Sequence, residues 1–291
     1  YWRLGELESV VKDVLGVADV LWVADEKHAA QEGIPLDARP APKPAVVEEH
    51  GLRYRIQAGG GHKTGFFLDQ RDNRKRVMEL ARDRFVFDGM CYTGGFGLAA
   101  AKGGASRVLG MDLDETAVDA AVKNADENGL VAEFRQGDVF DQLRKFAALP
   151  GDERPDVLSL DPPKWVRDRK GLSAGIARYG DLNRLALSAV KPGGLIFTHS
   201  CSGLVDEPTL LKILRNAALD VGADARFLYV GGPGMDHPVA AHVPEGRYLK
   251  SVLLMTGGPG TGPTPGEGRP MERGERGRGR ARSRRGPSSS R

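Results

Sequence analysis

The feature that most constrains this fold is a regular alternation of short apolar runs with longer amphipathic stretches from Phe85 onward. The apolar runs predict strands at 85–87, 107–111, 131–135, 156–160 and 195–198, with two more near 226–230 and 248–255. Helices are predicted from the N-cap Asp114 to Asn128, and at Asp181–Val190 and Glu207–Leu219. This alternation predicts an α/β fold, with a parallel sheet and helices on both faces.

Glycines and carboxylates stand where the predicted strands end, at the edge of such a sheet that binds ligands. The first strand runs into a Gly-rich turn, Asp88–Gly97, whose glycines let the backbone turn tightly and approach a ligand closely. Asp112 ends the second strand, where a carboxylate can accept hydrogen bonds from ribose hydroxyls. Asp138 follows the third strand, where it can reach an adenine amino group. These positions together predict a site for an adenosine nucleoside.

A nicotinamide dinucleotide is the competing ligand, because Gly95–Ala100 fits a loose G-x-G-x-x-A pattern. Three features oppose it. Thr93-Gly94-Gly95 is unlike the start of the dinucleotide fingerprint, the fourth strand ends in Asp161-Pro162-Pro163-Lys164, and Lys191-Pro192-Gly193-Gly194 introduces the fifth. The adenosine nucleoside is therefore favoured.

The chain divides into three parts by composition. Residues 1–60 predict a small α+β module with a helix at Leu4–Leu15, a strand at Val20–Val23, a Pro-rich loop at 35–44 and a hairpin between Val46 and Ile56. Residues 61–256 form the main domain. Residues 257–291 carry nine Arg and three Glu with almost no apolar residue, which predicts a disordered tail suited to loose contact with phosphates. The net charge of +3 therefore hides a mildly acidic remainder.

Composition also excludes several classes of protein. No stretch approaches the roughly 20 apolar residues of a membrane span, so no membrane partner is expected. The two cysteines, Cys91 and Cys201, do not make a disulfide framework, and a reducing, cytoplasmic setting is expected. No metal site is predicted, because the histidines in Asp236-His237-Pro238 and at His242 lack metal-ligand spacing.

The order of these motifs resembles that of the class I S-adenosylmethionine-dependent methyltransferases. More narrowly, about residues 1–255 resemble the bacterial 23S ribosomal RNA cytosine-C5 methyltransferases. The resemblance is carried by Gly61–Arg74, Cys91–Phe96, Asp161–Lys164, Ser200–Gly203 and Asp236–Pro238, of which the first and fourth are the most specific. The PUA domain usual in that family would lie before Tyr1 and is not part of this sequence, and whether the chain is truncated at its N-terminus stays open. The Arg/Gly-rich tail is not part of the family pattern.

The resemblance implies a Rossmann-like methyltransferase domain that binds S-adenosyl-L-methionine, with the Lys63–Arg74 segment folded over the pocket. The residues implied to bind this cofactor are Asp88, Tyr92, Thr93, Gly94, Gly95, Asp112, Asp138, Asp161, Phe67 and Arg71. Phe66 and Phe67 are equally well interpreted as core aromatics. The implied partner is RNA, in particular large-subunit ribosomal RNA, with contacts expected at Lys63, Arg74 and Lys164.

Cytosine C5 is a weak nucleophile, and its methylation needs a thiolate that adds to C6 of a flipped-out base. Cys201 follows the fifth strand, between two serines, and is the candidate nucleophile. Cys91 lies in the Gly-rich turn Asp88–Gly97, hereafter the cofactor turn, and is expected to be structural. Asp161 is the second candidate catalytic residue, placed to hold the cytosine N3 or exocyclic amine. Many RNA cytosine-C5 enzymes have a Cys beside the Pro of this motif, where this chain has Pro163, so the base for the elimination step stays open.

Two alternatives also stay open. Asp161-Pro162-Pro163 resembles the acidic motif of enzymes that N-methylate guanine or adenine in ribosomal RNA and use no Cys. A further hypothesis is a non-catalytic RNA-binding or ribosome assembly factor, against which the intact Asp161 and Cys201 argue. The sequence leaves open the modified nucleotide and the oligomeric state, a homodimer included.

Overall fold

The structure is a computed structural model that describes residues 3–20, 30–31, 33, 44–57, 65–243 and 246–257. The strands within these ranges are β1 (Pro44–Glu49), β2 (Leu52–Gln57), β3 (Phe85–Gly89), β4 (Arg107–Asp112), β5 (Glu133–Gln136), β6 (Val157–Leu160), β7 (Leu195–Ser200), β8 (Ala225–Gly231) and β9 (Lys250–Thr256). The helices are α1 (Leu4–Leu15), α2 (Arg71–Leu80), α3 (Gly95–Lys102), α4 (Glu115–Asn128), α5 (Val139–Ala147), α6 (Leu172–Ala189) and α7 (Glu207–Asp220), with short 3₁₀ turns at Leu68–Gln70 and Gly151–Glu153.

The described residues form one seven-stranded sheet in the order β5-β4-β3-β6-β7-β9-β8 and a separate two-stranded sheet, β1–β2. The pairs among β3, β4, β5, β6 and β7 are parallel. β6 and β7 are buried along their whole length, as expected for strands covered by helices on both faces. The α/β fold predicted from the sequence is confirmed.

The last strand, β9, is an exception to the parallel sheet expected from the sequence. It pairs antiparallel with β7 on one side and with β8 on the other. β9 is reached from β8 through a loop rather than a crossover helix, so it returns in the opposite direction between two strands already present. Its first residue, Lys250, is consequently paired with Ser200, the last residue of β7.

The helix predicted at Asp181–Val190 is longer than expected, because α6 begins at Leu172. Two glycines, poor helix formers, lie in its first half. Gly175 packs so tightly that an added Cβ would lie 2.2 Å from a methyl carbon of Val166. Tertiary packing therefore overrides the local propensity. By contrast, α4 begins and ends as predicted, with Asp114 accepting hydrogen bonds from two backbone N–H groups and Gly129 in the left-handed conformation.

The predicted hairpin is present as β1–β2 and packs on the main sheet's helices. Its turn residues His50 and Gly51 both have positive φ, the conformation that a two-residue hairpin turn favours. Asn124 and Asn128, one turn apart on α4, hydrogen-bond the open edge of β2 at the backbone of Arg55 and Arg53. Leu52 and Tyr54 of β2 lie in the same apolar cluster as Leu98 and Phe134. The hairpin thus shares a core with the sheet domain, while the boundary at residue 60 stays a prediction.

Several predictions fall on residues outside the described ranges. These are most of the strand at Val20–Val23, most of the Pro-rich loop at 35–44, and the tail beyond Gly257. Within the described ranges, no helix is long and apolar enough to cross a membrane.

Candidate active site

The carboxyl ends of the parallel strands bring the predicted site residues to one edge of the sheet. Gly89 of β3 is paired with Leu160 of β6, so Asp88 and Asp161 belong to adjacent strand ends. Asp112 ends β4 on the other side of β3. Cys201 directly follows β7, the neighbour of β6. The grouping predicted from strand order is therefore present in the fold.

The turn after β3 is held in an unusual backbone conformation. Met90 and Tyr92 are non-glycine residues with φ of 60° and 48°, and Gly94 has φ of 86°. The backbone N–H of Tyr92 donates to a carboxylate oxygen of Asp112 at 2.9 Å, which ties the turn to the end of β4. Such strained positions concentrate at ligand sites, where the surrounding structure determines them.

Asp88 is the most deeply buried carboxylate of the site, fully shielded from solvent. Its Oδ2 accepts the backbone N–H of Gly97 at 2.6 Å, and its Oδ1 has no hydrogen-bond partner within the described residues. Burial raises the pKa of Asp88 to about 7. An unpaired buried carboxylate oxygen beside a glycine turn favours a ligand that brings a cationic donor.

The other predicted cofactor contacts differ in their exposure to solvent. Asp138 is exposed and accepts the N–H of Phe140 at 2.7 Å, which makes it the N-cap of α5. Thr93 is buried, and its carbonyl accepts from the Asn124 side chain at 3.2 Å. The ring of Phe67, 37% exposed, meets Tyr92 edge-on with 5.5 Å between centroids. Phe67 therefore packs against the turn through the ring of Tyr92.

The structure corrects the prediction that Arg74 contacts RNA. Its side chain is buried, donates at 2.6 Å to both carboxylate oxygens of Glu49, and donates to the carbonyl of Phe67 at 3.0 Å. A guanidinium enclosed in this way cannot reach an RNA phosphate, so Arg74 supports the fold instead. Arg71 forms ion pairs with Asp72 and Asp236. Lys63 lies outside the described residues, and Lys164 is exposed.

Asp161 is half-buried and belongs to a chain of hydrogen bonds that sequence reasoning did not find. Gln70 donates to its Oδ2 at 2.9 Å and accepts from Asn73 at 2.6 Å, and Asn73 donates to Ser251 on β9 at 2.9 Å. Burial raises the pKa of Asp161 to about 7. Gln70 and Asn73 lie within the Gly61–Arg74 stretch that carried the resemblance, which was the available signal.

Cys201 lies in a short turn fixed by its neighbours. Ser200 and Ser202 are fully buried. The hydroxyl of Ser202 accepts the N–H of Val166 at 3.2 Å and is paired with the Tyr179 hydroxyl at 3.1 Å. Cys201 itself is half-buried, whereas Cys91 is buried, and burial raises the pKa of the Cys91 thiol well above its usual value. Of the two thiols, Cys201 is the one placed to react.

Within the described ranges, no group of three or more His, Cys, Asp or Glu side chains is arranged to hold a metal ion.

Comparison with known proteins places this arrangement in a family. The profile of the S-adenosylmethionine-dependent methyltransferases matches residues 30–212, which is more than half of the chain. This chain belongs to the S-adenosylmethionine-dependent methyltransferase family. The structure of the methyltransferase fits that cofactor at one point, because the unpaired Oδ1 of buried Asp88 suits its amino group.

Relatives of this methyltransferase carry a more specific name. It is 42% identical over 215 residues to "Ribosomal RNA large subunit methyltransferase I" of Aeromonas salmonicida, covering 73% of this chain and 54% of that protein. The protein of the same name from Shewanella amazonensis is 38% identical over 264 residues, 87% of this chain and 65% of its own length. The chain thus spans about half to two thirds of the length of these relatives.

The fold has solved counterparts. A Streptococcus mutans protein described as a SAM-dependent methyltransferase matches with a TM-score of 0.65 and 23% identity, over 76% of this chain and 57% of that one. At this identity the likeness supports the fold alone.

Proposed function

We propose that this methyltransferase forms 5-methylcytosine in large-subunit ribosomal RNA, with Cys201 as the nucleophile. The observation that carries the proposal is the placement of Cys201 and Asp161 after adjacent parallel strands, at the edge that holds the cofactor turn. The ribosomal RNA substrate is supported by the name of its relatives.

The chemistry follows from these two side chains. The Cys201 thiolate adds to C6 of the cytosine, which makes C5 an enamine-like carbon nucleophile. When bound, S-adenosylmethionine would supply the electrophilic methyl group to C5 and would leave as S-adenosylhomocysteine. A base then removes the C5 proton, the C6–Sγ bond breaks, and the electron pair returns to Cys201 as thiolate. Asp161, with its pKa raised to about 7 and one oxygen held by Gln70, can present a proton to the cytosine N3 near neutral pH.

The substrate itself is read by loops rather than by the sheet, since RNA recognition rests on shape and unstacked bases. The loop 163–171 follows Asp161 and carries four exposed cations, Lys164, Arg167, Arg169 and Lys170. Within the described residues none of the four forms an ion pair. A cationic loop beside the reacting edge suits a phosphate backbone.

The test is nucleoside mass spectrometry after incubation with unmodified large-subunit ribosomal RNA and S-adenosylmethionine labelled at the methyl group. We expect labelled 5-methylcytidine, lost in Cys201→Ala and retained in Cys91→Ala, which removes the buried thiol of the cofactor turn. Activity that survives in Cys201→Ala would exclude the thiolate mechanism. Cofactor binding without any RNA product, in a folded protein, would favour a non-catalytic RNA-binding or assembly factor.

N-methylation of guanine or adenine is the second candidate, favoured by the Asp161-Pro162-Pro163 motif and by the Gln70 amide beside Asp161. Enzymes of that kind hold the target amine between an acidic side chain and a backbone carbonyl and need no thiol. Labelled methylguanosine or methyladenosine, lost in Asp161→Asn but not in Cys201→Ala, would identify this chemistry.

A further inference from the structure

A buried lysine lies beside the candidate nucleophile. Lys250 is 2% exposed, although lysines are almost never fully buried unless they are paired or functional. Lys250 begins β9 and is paired with Ser200, which is the residue immediately before Cys201 in the chain. It is the only charged residue of this strand, followed by Ser251, Val252 and three further apolar residues.

The ammonium group of Lys250 is held in place by backbone acceptors. It donates at 2.6 Å to the carbonyl of Ser202, which follows Cys201, and at 2.6 Å to the carbonyl of Tyr248. An ammonium has three N–H donors, so one is left over after these two bonds. Both acceptors are neutral, and no carboxylate of the described residues forms an ion pair with this ammonium, so burial disfavours its charged form.

Charged and titratable groups surround this pair from several elements. Asp206 at the start of α7 favours the ammonium, and Lys164 of the loop after β6 opposes it. The Cys201 side chain also acts on Lys250 and, when ionised, favours its charge. Burial outweighs these attractions and lowers the pKa of Lys250 to about 8, so the ammonium still predominates near neutral pH. Burial raises the pKa of the Tyr179 and Tyr248 hydroxyls, and the charge of a nearby ionised Cys201 adds to that rise.

We propose that Lys250 is a positioning residue that stabilises Cys201 as a thiolate and fixes the turn that carries it. The inference rests on the proposed role of Cys201 as nucleophile. The Sγ–H bond of Cys201 breaks, the proton passes to solvent, and the remaining thiolate is paired with the ammonium of Lys250. A thiolate is the reactive form that adds to C6, and a neighbouring lysine is an established means of favouring it.

The test measures the rate of Cys201 alkylation by iodoacetamide against pH, on the full chain without RNA or cofactor. Wild type is expected to show a midpoint below the ordinary thiol value of about 8.5. Lys250→Met is expected to raise the midpoint by roughly one unit, with about a tenfold slower reaction near neutral pH, and Lys250→Arg to restore it in part. Cys201→Ser assigns the signal, because the other thiol, Cys91, is buried.

A purely structural Lys250 would leave the midpoint unchanged in a folded Lys250→Met, and that result would overturn the proposal. If Lys250→Met does not fold, the wild-type profile decides: a midpoint at or above the ordinary thiol value excludes a lysine-stabilised thiolate, and a lower one supports it. Because the assay needs no RNA, a lysine-dependent thiolate without any 5-methylcytidine product would separate failure of the proposed function from failure of this inference.

Discussion

The guanidinium of Arg74 on α2 donates at 2.6 Å to both carboxylate oxygens of Glu49 at the end of β1, with both side chains almost fully buried. The aliphatic part of Arg74 also lies against the turn, since a Cβ on Gly95 would be 3.0 Å from its Cδ. The Arg74–Glu49 ion pair therefore links the hairpin to the part of the cofactor turn that contains Gly95.

Removing one partner of this pair is expected to be costly. Glu49→Ala leaves a buried guanidinium without its counter-ion, and we expect a loss of about 3–5 kcal/mol in the free energy of unfolding. The measurement is urea denaturation. Glu48→Ala, which removes the partner of the exposed Arg53, is the control and should change stability by less than about 1 kcal/mol. Equal effects of the two substitutions would argue against the buried pair as a support of the fold.

A methyl group at Gly94 is expected to damage the cofactor turn specifically. Its φ of +86° disfavours any side chain, and an added Cβ would lie 2.9 Å from the Phe134 ring and 3.0 Å from Ala121. Gly104 has φ of +87° with no described atom within 4 Å of such a Cβ, so Gly104→Ala isolates the backbone strain. Gly94→Ala should lower stability further and weaken S-adenosylmethionine binding in calorimetry. Identical results for the two variants would contradict this.

The buried carboxyl of Asp88 predicts an unusual dependence of stability on pH. Its folded pKa of about 7 lies above the ordinary value of 3.8, so the folded state holds the proton more tightly than the unfolded state. Stability from this group is therefore lost as the pH rises from about 4 to about 7, with a slope of up to about 1.4 kcal/mol per pH unit. Thermal unfolding of wild type and Asp88→Asn across this range should show a shallower decline in the variant.

Cofactor affinity should rise over the same pH range in which the free protein loses stability. A cationic amino group beside Asp88 favours the carboxylate, so S-adenosylmethionine affinity is expected to rise as the pH rises towards about 7 and to level off above it. Calorimetric titrations of wild type at several pH values test this. An affinity that is independent of pH in wild type, and unchanged in Asp88→Asn, would show that Asp88 does not face the cofactor.

The cationic loop 163–171 is expected to contribute to RNA affinity through phosphates. Replacing Arg167 and Arg169 by Glu should weaken binding of an unmodified ribosomal RNA fragment and reduce the slope of log Kd against log salt by about 0.7–0.9 for each lost contact. The control replaces Arg82 and Lys145 by Glu, two exposed cations at the opposite edge of the sheet. Cofactor affinity should not change in either variant. If the control weakens binding equally, the contact is non-specific.

Local signals in the sequence were sufficient for much of the fold and for part of the site. The N-cap Asp114, the hairpin between Val46 and Ile56, and the alternation of strands and helices were all predicted correctly. Parallel strands place their carboxyl ends at one edge, so chain order alone grouped Asp88, Asp112 and Cys201. Apolar periodicity and turn residues determine these features because they act between near neighbours in the chain.

Tertiary structure decided the rest, because burial and strand direction depend on distant residues. Arg74 has the sequence character of a phosphate contact, yet Glu49 from the hairpin encloses it. An apolar run predicts that β9 is buried but not which way it runs. Only the antiparallel insertion of β9 between β7 and β8 brings Lys250 opposite Ser200, beside the candidate nucleophile. Non-local pairing of this kind leaves no periodicity in the sequence, so it is determined only when the chain packs.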